Sequence, residues 1–144
     1  MGVRIAMRSA WLAACLCVLA LAGCASTGKD TNQLERNQYA YSAAIRWGDF
    51  EGAWMLVDPK YREAHPITAL ELARYEQVQI SSYRDVGSDR NLELGTAVRD
   101  IELGVINRHT LAERTVRYRE EWRRDAEGGT WWLQGGLPDL WNGE

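Results

Sequence analysis

Few residue types in this chain can do chemistry, and their spacing narrows the choice further. Its 144 residues include two histidines and three cysteines. His65 precedes Pro66 in a loop, and His109 falls in the turn between two strand-like runs. Neither has a His or Cys companion at ligand spacing, so no metal site and no catalytic histidine is expected. Phosphate-binding glycine patterns and H-E-x-x-H are both missing, and no cofactor is expected. What remains is Arg99 and Glu120, with Tyr118 and Trp122 nearby. Strand periodicity sets all four on one face of a hairpin whose other members are Gly95, Ala97, Ile101 and Val116. A guanidinium and a carboxylate on an apolar face are costly to bury unless they are paired. Two roles are open to them. Either they line the floor or mouth of a pocket and bind a polar group of a ligand, or they pair with each other and only close the core.

The elements that must position these residues read as helices first and strands second. Asn32 and Glu35 have capping-box spacing, and Leu34, Tyr41, Ala44 and Ile45 recur at helical intervals, which predicts a helix over 32–47. Gly48 is placed to end it in a left-handed turn, and Asp49 to cap a second helix, Phe50 to Val57, that Pro59 stops. After a break at His65-Pro66, Ile67 to Arg74 reads as a third short helix with Leu70 and Ala73 inward. From Tyr75 onward the period becomes two. The runs are Tyr75 to Val86 with Val78 and Ile80 on one side, a turn at Gly87-Ser88-Asp89, then Leu92 to Ile106, Leu111 to Asp125 and, past the turn Ala126 to Gly129, Thr130 to Gln134. Helices gathered ahead of antiparallel strands define an α+β fold.

Register follows from matching like with like, because a slip of one residue reverses every side chain. A four-residue loop, Asn107 to Thr110, sets Ile106 opposite Leu111, Ala97 opposite Glu120 and Arg99 opposite Tyr118, so that Arg99 and Glu120 meet on the diagonal. The other face becomes a charge ladder, with Asp100 opposite Arg117, Val98 opposite Arg119 and Thr96 opposite Glu121. In the last hairpin Trp122 lies opposite Leu133, Trp132 beside Arg123, and Glu120 opposite Gly135. Gly135 and Gly136 there either leave a cavity before Glu120 or allow the sheet to bend. Trp47, Trp54 and Trp122 are placed for the core. The tail Leu137 to Trp141 folds back over a sheet edge or stands out as a docking peg.

At this length, and with 46% apolar residues, the chain has material for a single core. Its first residues read as an address. A basic start (Arg4, Arg8) precedes the apolar run Ala10 to Ala22, which is too short to span a bilayer as a helix. Leu21-Ala22-Gly23-Cys24 resembles a bacterial lipobox, which implies acylation of Cys24 after removal of residues 1–23. Residues 24–31 then form the acylated cysteine and a polar tether of at most roughly 25 Å, and residues 32–144 a single domain. Cleavage removes Cys15 and Cys17, so no disulfide is possible, and leaves 15 basic groups against 20 acidic, about −5. That balance, with export, argues against nucleic acid. Ala25 stands where an Asp resembles an inner-membrane retention signal, so the expected location is the periplasmic face of the outer membrane, held there through the lipid on Cys24.

Residues 44–54 (Ala-Ile-Arg-Trp-Gly-Asp-Phe-Glu-Gly-Ala-Trp), Asp58-Pro59, Trp131-Trp132-Leu133 and Leu137-Pro138, with the order of elements, resemble the nuclear transport factor two-like superfamily. The resemblance implies helices packed into a strongly curved antiparallel sheet that forms a cone. Catalytic members use a carboxylate, sometimes with a Tyr or His, projecting into the cone, and Glu120 and Tyr118 are the analogous types here. A carboxyl in an apolar pocket can work near neutral pH, but Arg99 beside it favours the charged form and argues against catalysis. The chain therefore reads as a non-catalytic lipoprotein module that holds a small apolar ligand in the cone or an envelope protein on the sheet. The competing class is an isomerase- or dehydratase-like acid–base enzyme. Glu120→Gln is expected to leave a scaffold's fold intact and to abolish any acid–base activity.

Overall fold

The computed structural model describes residues 28, 29 and 31–141. The signal segment, the lipobox and Cys24 lie outside the described residues. The chain divides into Met1–Asn32, whose described residues are helical, and Gln33–Glu144, which carries the fold.

Helix α1 spans 31–47 and buries Leu34, Tyr41 and Ile45 at intervals that share one face. Gly48 ends it at φ 75°, a conformation that a residue without Cβ adopts freely. Asp49 caps α2 (Phe50–Trp54), accepting a hydrogen bond from the Gly52 amide at 2.8 Å. Pro59 does more than stop α2. It opens a helix missing from the sequence reading, α3 (Pro59–Ala64), at the position where proline's absent N–H costs nothing, with Asp58 capping the Lys60 and Tyr61 amides. A reciprocal Thr68–Glu71 capping box starts α4 (Ala69–Tyr75). The inward residues of α4 are Leu72 and Tyr75, not Leu70 and Ala73, and Leu70 is 81% exposed. Tyr75 decides this. Its ring packs on Phe50 at 4.6 Å and its hydroxyl donates to the Pro138 carbonyl at 2.9 Å, and with Tyr75 inside, the helical period brings Leu72 with it.

Four antiparallel strands follow in the order β1-β2-β3-β4: β1 (Val78–Asn91), β2 (Thr96–Asn107), β3 (Glu113–Arg124) and β4 (Trp131–Gln134). Gly87-Ser88-Asp89 is not a turn but the far half of β1, paired with Asp100, Arg99 and Val98. The reversal comes at 92–95, where the Asn91 side chain accepts from the Leu94 amide at 3.0 Å and Gly95 stands at φ 63°. β1 carries two register shifts, which leave Ser81 and Val86 without a partner. Such bulges bend a strand and exchange its faces. The shift at Ser81 sets Tyr83 on the same side as Ile80, facing the helices.

The β2–β3 register places Ile106 opposite Glu113, two residues from the expected pairing. The connecting loop is longer than four residues because Leu111 adopts φ 58° and the Asn107 side chain accepts from the His109 and Thr110 amides at 2.9 and 3.1 Å. An even slip leaves every side chain on its face. The charge ladder therefore persists with new partners, Asp100 opposite Arg119 and Glu102 opposite Arg117, while Arg99 now faces Glu120 directly. In the last hairpin Trp122 lies opposite Leu133 and Arg123 opposite Trp132, as expected.

The helices cover one face of this sheet, an α+β arrangement with Trp122, Ile101, Leu103, Trp131 and Leu133 buried beneath them. Trp47 is not in the core. It ends α1 on the side away from the sheet and is 86% exposed, and Trp131 supplies the second fully buried indole instead. The tail does fold back: Leu140 is buried, the Arg114 guanidinium donates to its carbonyl, and Trp141 meets Tyr75 edge-on at 4.9 Å. Replacing Leu70 by Ala should leave stability within about 0.5 kcal/mol, whereas Leu72→Ala should cost about 1.5 kcal/mol. Urea denaturation of the two variants checks which face of α4 is inside.

Candidate functional site

β2 and β3 present Arg99, Tyr118, Glu120 and Trp122 toward the helices, and Glu120 is fully buried at 0% exposure. Its carboxylate is met by four donors, the number of its lone-pair sites. Arg99 donates to Oε2 through Nε at 2.9 Å and Nη2 at 2.6 Å, Trp122 Nε1 donates to the same oxygen at 2.9 Å, and the Tyr83 hydroxyl donates to Oε1. Arg99 Nη2 also reaches the Tyr83 hydroxyl at 3.1 Å and the Gln38 carbonyl on α1 at 3.4 Å. Tyr83 has the guanidinium groups of Arg46 and Arg99 at 5.3 and 5.9 Å from its ring centroid. The pair is thus direct rather than diagonal, with two guanidinium nitrogens on one carboxylate oxygen.

A second layer surrounds this ion pair. Tyr41 from α1 meets Trp122 edge-on at 5.8 Å. The hydroxyls of Tyr41 and Tyr118 are buried and have only each other as hydrogen-bonding neighbours. Burial pushes the phenols of Tyr41, Tyr83 and Tyr118 far above the usual tyrosine range. On the opposite face the arginines are exposed, and Arg84 and Arg117 cover Glu102. A forked contact from Arg119 at 2.7 and 3.0 Å holds Asp100 below the ordinary carboxylate range, and hydrogen bonding from Arg117, with Arg84 adding to it, does the same for Glu102.

No family model and no curated protein matches the sequence. Among solved structures, the chain is similar to RPA3114, a SEC-C motif-containing protein from Rhodopseudomonas palustris, at 19% identity and a TM-score of 0.52, covering 66% of this chain and 70% of that one. The likeness is one of fold. Also found, at 16% identity and a TM-score of 0.49, is an NTF2-like family member from Streptomyces avermitilis proposed to be a dehydratase, covering 77% of this chain and 99% of that one.

The four residues singled out from the sequence come together, but as a closed cluster instead of an open pocket. Arg99 reaches a surface groove of about 420 Å³, which Leu34, Glu35, Gln38, Asp85 and Arg90 help to wall, and Tyr118 edges another of about 480 Å³ with Val86, Arg117 and Arg119. The β3–β4 ladder ends at Glu121–Gln134, so Gly135 does not face Glu120; at φ 79° it serves the bend after β4. A separate groove of about 470 Å³ lies over α3, α4 and the tail, edged by Trp54, Tyr61, His65, Arg74 and Trp141, with Tyr61 and His65 stacked at 4.4 Å. Among the described residues no cluster of three metal-ligating side chains occurs. Tyr83, the donor to Oε1, is the member that sequence reasoning missed, because the parity of β1 counted from Val78 and Ile80 puts it outside and no residue type announces the bulge at Ser81.

The depth of Glu120 corrects one expectation directly. Glu120→Gln removes the charge that Arg99 pairs with and turns one of the two acceptor oxygens into a donor, so it should cost about 3 kcal/mol instead of leaving the fold untouched. The double replacement Arg99→Met with Glu120→Leu should be less damaging than Glu120→Gln alone, a comparison that chemical denaturation provides. Alkaline pH tests the second layer. Burial pushes the Tyr75 phenol up to about 12, so its contribution to stability is complete below the ordinary value of 10.0 and disappears as pH rises through about 12. Tyr41, Tyr83 and Tyr118 act in the same direction. Thermal melts across this window should show stability falling with pH, with tyrosinate absorbance appearing together with unfolding.

Proposed function

We propose that this chain is a lipid-anchored module of the cell envelope that binds or assembles and does not catalyse, built on a nuclear transport factor two-like cone. The observation that carries the non-catalytic part is the state of Glu120. A general acid or base must come within hydrogen-bond reach of a substrate proton. This carboxylate is fully buried, and Arg99, Tyr83 and Trp122 already occupy it. With the interior filled, contact with a ligand or partner falls on the surface. The groove over α3 and α4, lined by Trp54, Tyr61 and Trp141 with Arg74 lying over the Trp141 ring at 4.0 Å and Asp139 nearby, suits an amphiphilic ligand or a segment of an envelope protein.

Support for the envelope setting comes from the N-terminal sequence: a basic start, an apolar run and Leu21-Ala22-Gly23-Cys24 in the order that lipid attachment requires. Two or more acyl chains on Cys24 would hold the protein firmly where one would not. Among the described residues no helix is long and apolar enough to cross a membrane, so a peripheral mode is the one open to these helices. The acid–base alternative keeps one point in its favour, the neighbouring hydroxyls of Tyr41 and Tyr118, which are buried beside Glu120 with only each other to bond to.

Expression of the native chain and of Cys24→Ser tests the proposal. The native protein should fractionate with the outer membrane and lack residues 1–23, with a mass increased by acyl groups, whereas Cys24→Ser should be released. Retention of Met1 on the mature product, or unaltered fractionation of the variant, would remove the lipid anchor from this reading.

A further inference from the structure

Helix α1 has two apolar faces, and the sheet uses only one of them. At about 100° per residue, Arg36, Tyr39, Ala40, Ala43, Arg46 and Trp47 fall within an arc of about 120° on the side opposite Leu34, Tyr41 and Ile45. No acidic residue lies in that arc. Tyr39 is 74% exposed and Trp47 86% exposed, whereas every other described tryptophan is buried or half-buried. Tyr39, Ala43 and Trp47 stand one turn apart in a single line about 12 Å long. Arg46 is held by the Tyr83 carbonyl at 3.2 Å, which leaves Arg36 as the outward cation of the stripe.

We infer that this stripe lies on the lipid surface, with Tyr39 and Trp47 seated at head-group level. The inference rests on the proposed acylation of Cys24, because the reach of the chain is what selects this occupant. Six residues, Ala25 to Asp30, lie between Cys24 and α1, and even fully extended the seven steps from Cys24 to Thr31 cover at most roughly 25 Å. A helix tethered that closely meets the bilayer before it meets anything else. Tyr and Trp rings combine an apolar body with a polar edge and concentrate at membrane interfaces, and an amphipathic helix lying in the interface plane presents this combination of aromatic rings and a basic group.

The test supplies the lipid chemically. In the processed chain Cys24 is the sole cysteine, and the core runs from Leu34 to Leu140, so that chain keeps every core residue. Coupling Cys24 to a maleimide lipid in phosphatidylcholine–phosphatidylglycerol vesicles anchors it whether or not a cell would. Tryptophan emission is then compared on vesicles with and without brominated acyl chains. Quenching should be about twofold greater for the native sequence than for Trp47→Phe. Tyr39→Ser should also reduce it, and Leu70→Ser, which alters an exposed residue on another helix, should not. Equal quenching in the native and Trp47→Phe proteins, or none at all, would overturn the inference and leave acylation of Cys24 standing. Quenching through Trp47, combined with unaltered fractionation of Cys24→Ser in cells, would instead keep the membrane face and discard the acylation.

Discussion

A carboxylate taken wholly out of water must receive its hydrogen bonds from the protein, and the placement of Glu120 imposes that demand on three separate elements. β2 has to stand in the register that brings Arg99 opposite it, β1 has to be bulged so that Tyr83 turns inward, and Trp122 two residues along β3 has to keep its indole N–H free to donate. The effective cost of an unpaired buried charge is several kcal/mol, against a total stability of about 5 to 15 kcal/mol for a domain. A register two residues away would set Arg99 diagonal to Glu120 instead of opposite it. The cluster therefore specifies the fold more than it stabilises it, since a well-packed apolar substitute could hold the sheet to the helices equally well but would not select one pairing.

Depth separates this pair from the charges on the other face of the same strands. Asp100 with Arg119 and Glu102 with Arg84 and Arg117 use the same chemical groups, yet all three arginine side chains are more than half exposed. Solvated pairs of this kind contribute little individually and weaken with salt. Their consequence is of another sort: a face covered by alternating charge resists close approach by an apolar surface. The sheet's outer side is thereby a poor seat for a flat apolar partner, although a groove of about 480 Å³ edged by Val86, Tyr118 and Arg119 opens on it.

Periodicity was the legible part of the sequence. It carried the helix-then-strand order, the alternation of both long strands and the inward set Arg99, Tyr118, Glu120 and Trp122, because a slip of two residues leaves faces intact even when every partner is wrong. What it could not carry were the features that depend on single backbone conformations. Leu111 at φ 58° lengthens a loop without the glycine that would have signalled it. Ser81 and Val86 create bulges with ordinary strand residues, which concealed Tyr83. Gly87-Ser88-Asp89 has turn composition but sits in a bulged edge strand, where weak strand formers are tolerated. Trp47 and Leu70 were misplaced for a related reason: in short amphipathic helices the apolar count permits two inward faces, and the choice lies with long-range contacts such as Tyr75 to Pro138.

The two readings of α1 are coupled through the cluster. Gln38 accepts from Arg99, Tyr41 packs on Trp122, and Asn37 donates to the Trp131 carbonyl at 2.8 Å, so three positions on one side of the helix tie its roll to the sheet. Fixing the roll of a helix fixes both of its faces at once. The outward orientation of Tyr39, Ala43 and Trp47 is then a consequence of how Glu120 is satisfied on the inside, not an independent choice. Loosening the cluster would let α1 rotate and would blur the stripe before it unfolded the protein. A buried ion pair can in this way set the geometry of a surface on the far side of the helix that covers it.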